Sequence, residues 1–132
     1  MTTDSVATLL LYVEDEKIIQ SSMIAVLEEA GFELLVASSG EEGLDYLETE
    51  KKGRIRGLIT DVDLGRGPTG WNVARRARLL MARMPVVYAS SVDEDDWLVN
   101  GVPLSKLVSK PYRPSQVVSA VSSLLMPSAR PS

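Results

Sequence analysis

An apolar segment turns acidic in the middle of the chain, in the stretch Leu58-Ile59-Thr60-Asp61-Val62-Asp63-Leu64. Leu58 and Ile59 are typical of a strand that is buried on both faces, as in a parallel sheet. Asp61 places a carboxylate where that strand should end, and an ionised carboxylate is costly to bury unless it is paired or binds a cation. The stretch therefore predicts a parallel sheet with a charged site at the end of one strand.

Runs with strand and helix patterns alternate on both sides of this stretch. The strand-like runs are 8–13, 34–37, 58–64, 86–89 and 104–108, and the helical runs are 18–30, 39–50, 71–83, 93–99 and 117–125. Such alternation predicts an α/β fold with a doubly wound, five-stranded parallel sheet and helices on both faces. We expect one domain over residues 1–132, with its core at about 8–125 and a short Pro/Ser tail at 126–132.

Patterns within the helical runs predict which side chains face the core. In the first run one face carries Ile18, Ile19, Ser22, Met23, Val26, Leu27 and Ala30. In the third, arginines at 75, 76, 78 and 83 are typical of a solvated face, with a partner-binding surface as the alternative. Trp97, beside an acidic run, fits either core packing or an interface.

The composition excludes several classes of function. The net charge of −4, from 14 basic and 18 acidic residues, argues against a nucleic-acid partner. The chain has no cysteine and no histidine, which excludes disulfides, thiolate chemistry and a phosphohistidine on this chain. No apolar run approaches a membrane span and no signal sequence is evident, so we expect a cytoplasmic protein without a membrane partner.

Polar residues with complementary chemistry follow the predicted strands. Glu14 and Asp15 follow the first strand, Asp61 the third, Ser90 the fourth and Lys110 the fifth. These strand ends share one edge of a parallel sheet, where open α/β folds place their sites. Clustered carboxylates repel one another unless a hard cation such as Mg²⁺ binds, while a lysine and a hydroxyl suit a phosphate. The pattern predicts phosphoryl transfer to a carboxylate.

Four motifs also carry a resemblance to a known family. They are Val13-Glu14-Asp15-Glu16, Thr60-Asp61, Ser90-Ser91 and Ser109-Lys110-Pro111-Tyr112. In this order, and each after a strand, they resemble the receiver domain of a response regulator in two-component signalling, of the stand-alone, single-domain type. The resemblance extends from about residue 8 to residue 125. It implies a flavodoxin-like sheet with strand order 2-1-3-4-5.

The resemblance also implies roles for the acidic residues. Asp61 would be the phosphoacceptor, which makes the protein a signalling phosphoacceptor rather than an enzyme, with intrinsic self-phosphorylation and self-dephosphorylation chemistry. Asp15 would bind Mg²⁺ directly, together with Asp61 and the backbone carbonyl of Asp63. Glu14 would act near the metal through a water molecule.

The remaining implied roles concern the switch and its partners. Lys110 would pair with the acyl phosphate, and Ser90 would turn toward it and couple it to the surface around the fourth helix and fifth strand. The phosphoryl donor would be a phosphohistidine on a histidine kinase or a histidine phosphotransfer protein. A downstream protein target and a homodimer are the implied outputs.

Two segments depart from the pattern of the family. Leu107 stands three residues before Lys110, where the family usually has an aromatic that moves with the switch hydroxyl, and Tyr88 or Tyr112 could substitute for it. The loop 65–70 is one residue longer than usual. Asp63 adds a carboxylate near the phosphoryl group, which could either repel that group or order an attacking water molecule.

Two other functions remain open from the sequence. One is a receiver-like binding module that signals without phosphorylation, which Leu107 and the altered loop favour. The other is a small phosphatase that uses Asp61-Val62-Asp63 as nucleophile and acid. Such phosphatases usually carry the acidic pair on the first strand, whereas here the pair lies in the middle of the chain.

Overall fold

The computed structural model describes residues 7–50 and 53–126, and strands and helices alternate throughout them. The strands are β1 (Leu9–Val13), β2 (Glu33–Ala37), β3 (Gly57–Thr60), β4 (Val86–Ser90) and β5 (Lys106–Ser109). The helices are α1 (Lys17–Glu29), α2 (Gly40–Thr49), α3 (Gly70–Leu80), α4 (Glu94–Asn100) and α5 (Pro114–Leu125). The predicted alternation is confirmed. Residues 127–132 of the predicted tail lie outside the described residues.

The strands form one parallel sheet in the order β2-β1-β3-β4-β5, which confirms the predicted flavodoxin-like topology. The three central strands are buried along their whole length, because helices cover both faces of the sheet. One core layer lies between the sheet and α2 and α3, and the other lies beneath α1 and α5. Within residues 7–50 and 53–126, no helix is both long enough and apolar enough to span a membrane.

The central stretch is a short strand followed by a buried turn. β3 ends at Thr60, earlier than predicted. The hydroxyl of Thr60 donates to the carbonyl of Asp61 at 2.7 Å. Val62 and Leu64 lie beyond the strand, yet both are buried in the core layer beneath α2 and α3. The apolar pattern thus correctly predicts that this stretch is buried, and the burial continues past the last residue of β3.

The inward face of α1 agrees with its apolar pattern only in part, since Met23 and Leu27 are buried as predicted. Ile18 is 87% exposed, and Ser22 and Ala30 are also exposed. Gln20 is buried instead, where its amide donates to the carbonyl of Glu14 at 2.8 Å and to the hydroxyl of Ser38 at 3.1 Å. The inward face follows Gln20, Met23 and Leu27 because these hydrogen bonds offset the cost of burying an amide.

Three arginines of α3 bind other parts of the chain while they stay at least partly exposed, so the predicted solvated face also makes intramolecular contacts. Arg76 pairs with Glu48 of α2. Arg75 donates to the carbonyl of Asn100 at 3.1 Å. Arg78 donates to the carbonyls of Met84 at 2.7 Å and Pro103 at 2.6 Å. Two of these side chains thus fasten α3 to the end of α4 and to the segment that follows it.

The long loop between β3 and α3 packs tightly at two glycines. A Cβ atom at Gly70 would lie 1.9 Å from the carbonyl oxygen of Asp61, and one at Gly40 would lie 2.1 Å from the carbonyl oxygen of Pro68. The amide of Gly70 also donates to the carbonyl of Val62 at 2.9 Å. The start of α3 is therefore fixed against the turn that carries Asp61.

We expect Gly70→Ala to lower the free energy of unfolding by at least about 2 kcal/mol, because the added methyl group overlaps backbone that cannot move away. The amide of Asp61 is itself held by the carbonyl of Val13 at 3.0 Å. Gly43→Ala is the matched control, since its Cβ would meet side-chain atoms and no backbone, with Val13 at 3.1 Å and Val73 at 3.6 Å. Urea denaturation of both variants checks the prediction, and equal losses would contradict it.

Candidate functional site

The sheet itself positions the site residues. Hydrogen bonds of the parallel ladder continue past the strands: the amide of Glu14 donates to Ala37 at 3.0 Å, and the amide of Lys110 donates to Ser90 at 2.9 Å. The amide of Asp61 is bound in the same way to the carbonyl of Val13. These hydrogen bonds join the carboxyl ends of all five strands at one edge of the sheet, where the sequence predicted the site.

Three carboxylates meet at this edge. Glu14, Asp15 and Asp61 each offer an oxygen, and these oxygens lie within 4.8 Å of one another. Glu14 is 0% exposed and Asp61 is 5% exposed, whereas Asp15 is open to solvent. Among the described residues, Oε1 of Glu14 has no hydrogen-bond donor. A buried, unpaired carboxylate oxygen beside two further carboxylates is a donor set that suits a hard divalent cation.

Lys110 is the cation that Glu14 and Asp61 share with the nearby carboxylate of Glu16. Its Nζ lies 2.7 Å from Oδ2 of Asp61, 3.2 Å from Oε1 of Glu16 and 3.8 Å from Oε1 of Glu14. Burial alone would lower the pKa of Lys110, but the hydrogen bond and charge of Asp61, helped by Glu14 and Glu16, raise it above its usual value. Lys110 therefore stays charged at all physiological pH values.

The contact between Glu16 and Lys110 was not predicted from the sequence. Glu16 was noted only as part of an acidic motif, and its side chain is largely exposed. The two residues are separated by 94 positions in sequence, so no local pattern could have paired them. The sequence offered one sign of such a contact, the place of Glu16 in the acidic triplet that follows β1.

Ser90 lies next to the turn of Asp61. The amide of Val62 donates to Oδ1 of Asp61 at 2.7 Å, and it also lies 3.4 Å from Oγ of Ser90. Ser90 is buried, so its hydroxyl faces the acidic edge rather than solvent. Asp63, by contrast, is exposed, and its carboxylate accepts from the amide of Gly65 at 3.3 Å instead of joining the carboxylate cluster.

The aromatic residues near the departure at Leu107 occupy fixed positions. Leu107 is half-buried and pairs in register with Tyr88 of β4. Tyr88 is fully buried, its hydroxyl accepts from the amide of Val102 at 3.1 Å, and the ring of Trp71 packs edge-on against it. Trp97 packs against the core and donates to the hydroxyl of Ser105 at 2.9 Å, which favours core packing over an interface.

The family of the chain follows from its match to the family model of the response regulator receiver domain. That model matches residues 10–122, which include each of the strands and all four strand-end motifs. The chain belongs to this family. The acidic edge and Lys110 therefore lie at one edge of a receiver domain.

Similar proteins agree with this assignment. The receiver is 36% identical to a response regulator receiver protein from Sinorhizobium medicae WSM419, with a TM-score of 0.87 over 92% of this chain and 96% of that one. It is 32% identical to the alkaline phosphatase synthesis transcriptional regulatory protein PhoP of Bacillus subtilis, over 88% of this chain and 48% of that protein. The transcriptional regulatory protein DltR of Streptococcus agalactiae is 27% identical over 85% of this chain and 49% of its own length. The chain thus spans about half the length of these curated relatives.

The pKa of Glu14 gives the receiver a measurable pH dependence. Burial raises this pKa from 4.5 to about 7; the hydrogen bond from the amide of Glu16 opposes the rise, and the charge of Asp61 adds to it. The folded state therefore binds a proton that the unfolded state releases between about pH 5 and about pH 7. The free energy of unfolding should fall as the pH rises through this range.

Urea denaturation of the metal-free receiver at several pH values between about 5 and 8 measures this slope. The absence of histidine leaves few other groups that titrate there. We expect Glu14→Gln to flatten the slope, because glutamine has no proton to exchange. Glu41→Gln, an exposed change of the same kind on α2, should leave the slope intact.

Proposed function

We propose that this receiver accepts a phosphoryl group on Asp61 in a reaction that requires Mg²⁺. The observation that carries the proposal is the position of Asp61, which lies within reach of both a carboxylate cluster and the Lys110 ammonium group. A nucleophilic carboxylate with a cation site on one side and a lysine on the other can offset the charge of an incoming phosphoryl group.

The acidic residues divide the metal role between them. Asp15, the exposed member of the cluster, binds Mg²⁺ directly together with Asp61 and the backbone carbonyl of Asp63. Glu14 is buried behind them and acts through a water molecule. When bound, Mg²⁺ would act as a Lewis acid that offsets the negative charge of the phosphoryl oxygens. The fit of the donor set supports this assignment, since hard divalent cations prefer carboxylate and carbonyl oxygens.

The transfer itself is an in-line displacement. A carboxylate oxygen of Asp61 attacks the phosphorus of a partner phosphohistidine, the P–N bond breaks, and the imidazole leaves with the electron pair. Asp61 becomes a mixed anhydride, and its negative charge is replaced by that of the phosphoryl group. Lys110, whose Nζ lies 2.7 Å from Oδ2 of Asp61, then pairs with a phosphoryl oxygen.

The proposed switch depends on a hydrogen bond from the Ser90 hydroxyl to the new phosphoryl group. The hydroxyl of Ser90 is near the turn of Asp61 and can donate to a phosphoryl oxygen after a small rotation. Each residue of α4, which begins four residues later, is at least partly exposed, so few packed side chains resist its movement. Phosphorylation would therefore shift a two-state equilibrium of the surface around α4 and β5.

The partners are proposed from the family. The donor is a histidine kinase or a histidine phosphotransfer protein, and the output is a protein target, or a homodimer, that binds the altered surface. The stand-alone, single-domain organisation stays a prediction, because the curated relatives are about twice the length of this chain.

A receiver that signals by binding alone is the second candidate. The observation that favours it is Leu107, which stands in the place of the usual mobile aromatic, pairs in register with Tyr88 and packs against the core. The phosphatase alternative has less support, because the carboxylate of Asp63 is bound to its own loop rather than to the cluster.

An acyl-phosphate assay tests the phosphoacceptor role. We expect the receiver to gain one acid-stable, base-labile phosphoryl group when it is incubated with acetyl phosphate and Mg²⁺. Intact mass spectrometry should detect the adduct in the wild type and in Asp45→Asn, an exposed change on α2, but not in Asp61→Asn or with excess EDTA. Absence of the adduct, with no response to beryllofluoride, would favour the binding-only receiver, and turnover of unrelated phosphoesters would favour the phosphatase.

Replacement of Ser90 should separate phosphorylation from the response to it. We expect Ser90→Ala to form the adduct but to lose most of the change in the amide NMR shifts of α4 on addition of beryllofluoride, because the hydroxyl that joins the two is gone. Ser91→Ala, a neighbouring exposed serine, serves as the control. A full α4 response in Ser90→Ala would exclude the hydroxyl as the link.

A further inference from the structure

Three buried side-chain oxygens have no hydrogen-bond partner among residues 7–50 and 53–126. They are Oη of Tyr12, Oε1 of Glu14 and Oη of Tyr112. Nearly all buried polar atoms in native proteins are paired, since an unpaired one keeps its full cost of desolvation. Three such atoms in one small domain require a physical explanation.

The topology places these atoms on one side of the sheet. Tyr12 is the fourth residue of β1, and Glu14 lies two positions further along the same extended chain, so both side chains point to the same face. Tyr12 belongs to the core layer beneath α1 and α5, and the ring of Tyr112 packs against that same layer. Tyr112 directly follows Lys110-Pro111, which places it beside the acidic edge.

The charged groups of the acidic edge also act on both phenols. Burial raises the pKa of Tyr112 to about 12, and the next largest cause is the charge of Glu14. Burial also raises the pKa of Tyr12 far above its usual value, with further contributions from Tyr112, Glu14 and Asp61. Both phenols therefore stay protonated and remain hydrogen-bond donors at any physiological pH.

Donors and acceptor complement each other in this group. Oε2 of Glu14 already accepts from the amide of Glu16 at 3.1 Å, whereas Oε1 is 3.8 Å from Nζ of Lys110, beyond hydrogen-bond distance. Oε1 thus needs a donor, and the two phenols need an acceptor. A buried water molecule typically makes about three hydrogen bonds to groups of this kind.

We propose that Tyr12 and Tyr112 are positioning residues that hold Glu14 through a shared, water-bridged hydrogen-bond network. The network fixes the orientation of the Glu14 carboxylate behind the cation site, as supporting hydrogen bonds commonly do for the ligands of a metal. Only the connection to Mg²⁺ rests on the proposed function. The network itself is a property of the metal-free receiver.

The competing explanation is that both tyrosines serve only to fill the core. The two explanations predict opposite effects of removing a hydroxyl. Loss of an unpaired, buried hydroxyl raises stability, because a desolvation cost disappears, whereas loss of a bridged hydroxyl lowers it and leaves Glu14 unsatisfied. Phenylalanine keeps the ring in place, so its substitution isolates the hydroxyl.

A double-mutant cycle in the presence of EDTA tests the network. We expect Tyr12→Phe and Tyr112→Phe each to lower the urea midpoint, and the double variant to lose less than the sum of the two. Tyr46→Phe is the control, since this half-buried tyrosine on α2 packs against the opposite core layer. A raised midpoint in either single variant, or strict additivity in the double variant, would overturn the proposal.

Mg²⁺ titration calorimetry tests the positioning role separately. The double variant should bind Mg²⁺ roughly tenfold more weakly than the wild type, with Tyr46→Phe unchanged. Asp15→Asn, which should abolish binding, reports on the cation site itself. If the wild type binds no Mg²⁺, the proposed function fails, and the unfolding cycle still tests the network by itself. If the double variant binds Mg²⁺ as tightly as the wild type, the positioning role is overturned.

Discussion

The ion pair between Lys110 and Asp61 is the interaction on which the site depends. It joins residues 49 positions apart in sequence, at 2.7 Å, inside a cluster of carboxylates that would otherwise repel one another. Among residues 7–50 and 53–126, Lys110 is the one cationic side chain that pairs with the buried Glu14 and Asp61. The parallel sheet makes the pair possible, because its crossover connections bring the ends of β1, β3 and β5 to a single edge.

Tight packing at the start of α3 contrasts with loose packing along α4. The start of α3 is fixed by the backbone contact at Gly70, and α3 in turn binds the end of α4 and the following segment through Arg75 and Arg78. The hydroxyl of Tyr88 holds the same segment at Val102 from inside the core. The remainder of α4 has no comparable anchorage beyond Trp97. A new charge at Asp61 therefore lies next to the rigid start of α3, whereas α4, which is loosely packed, can move more readily.

Prediction from the sequence succeeded for features that are repeated and failed for features that depend on one contact. The alternation of strands and helices and the convergence of Glu14, Asp61, Ser90 and Lys110 followed from periodicity and from the rule for parallel sheets. The inward face of α1 was predicted only in part, because apolar spacing cannot show that the Gln20 amide has hydrogen-bond acceptors in the core. Long, flexible side chains such as those of the α3 arginines are also poorly predicted, since their partners lie far away in sequence.

The sequence by itself determined the α/β topology, the family, and the residue types that stand at the ends of the strands. It could do so because strand burial, helix periodicity and strand-end chemistry are local properties of the chain. Only the tertiary structure decided which of these groups are in contact: that Glu16 pairs with Lys110, that Asp63 binds its own loop instead of the cluster, and that the Tyr12 hydroxyl is buried without a hydrogen-bond partner among the described residues. Such contacts are fixed by distances between segments remote in sequence, which no local pattern records.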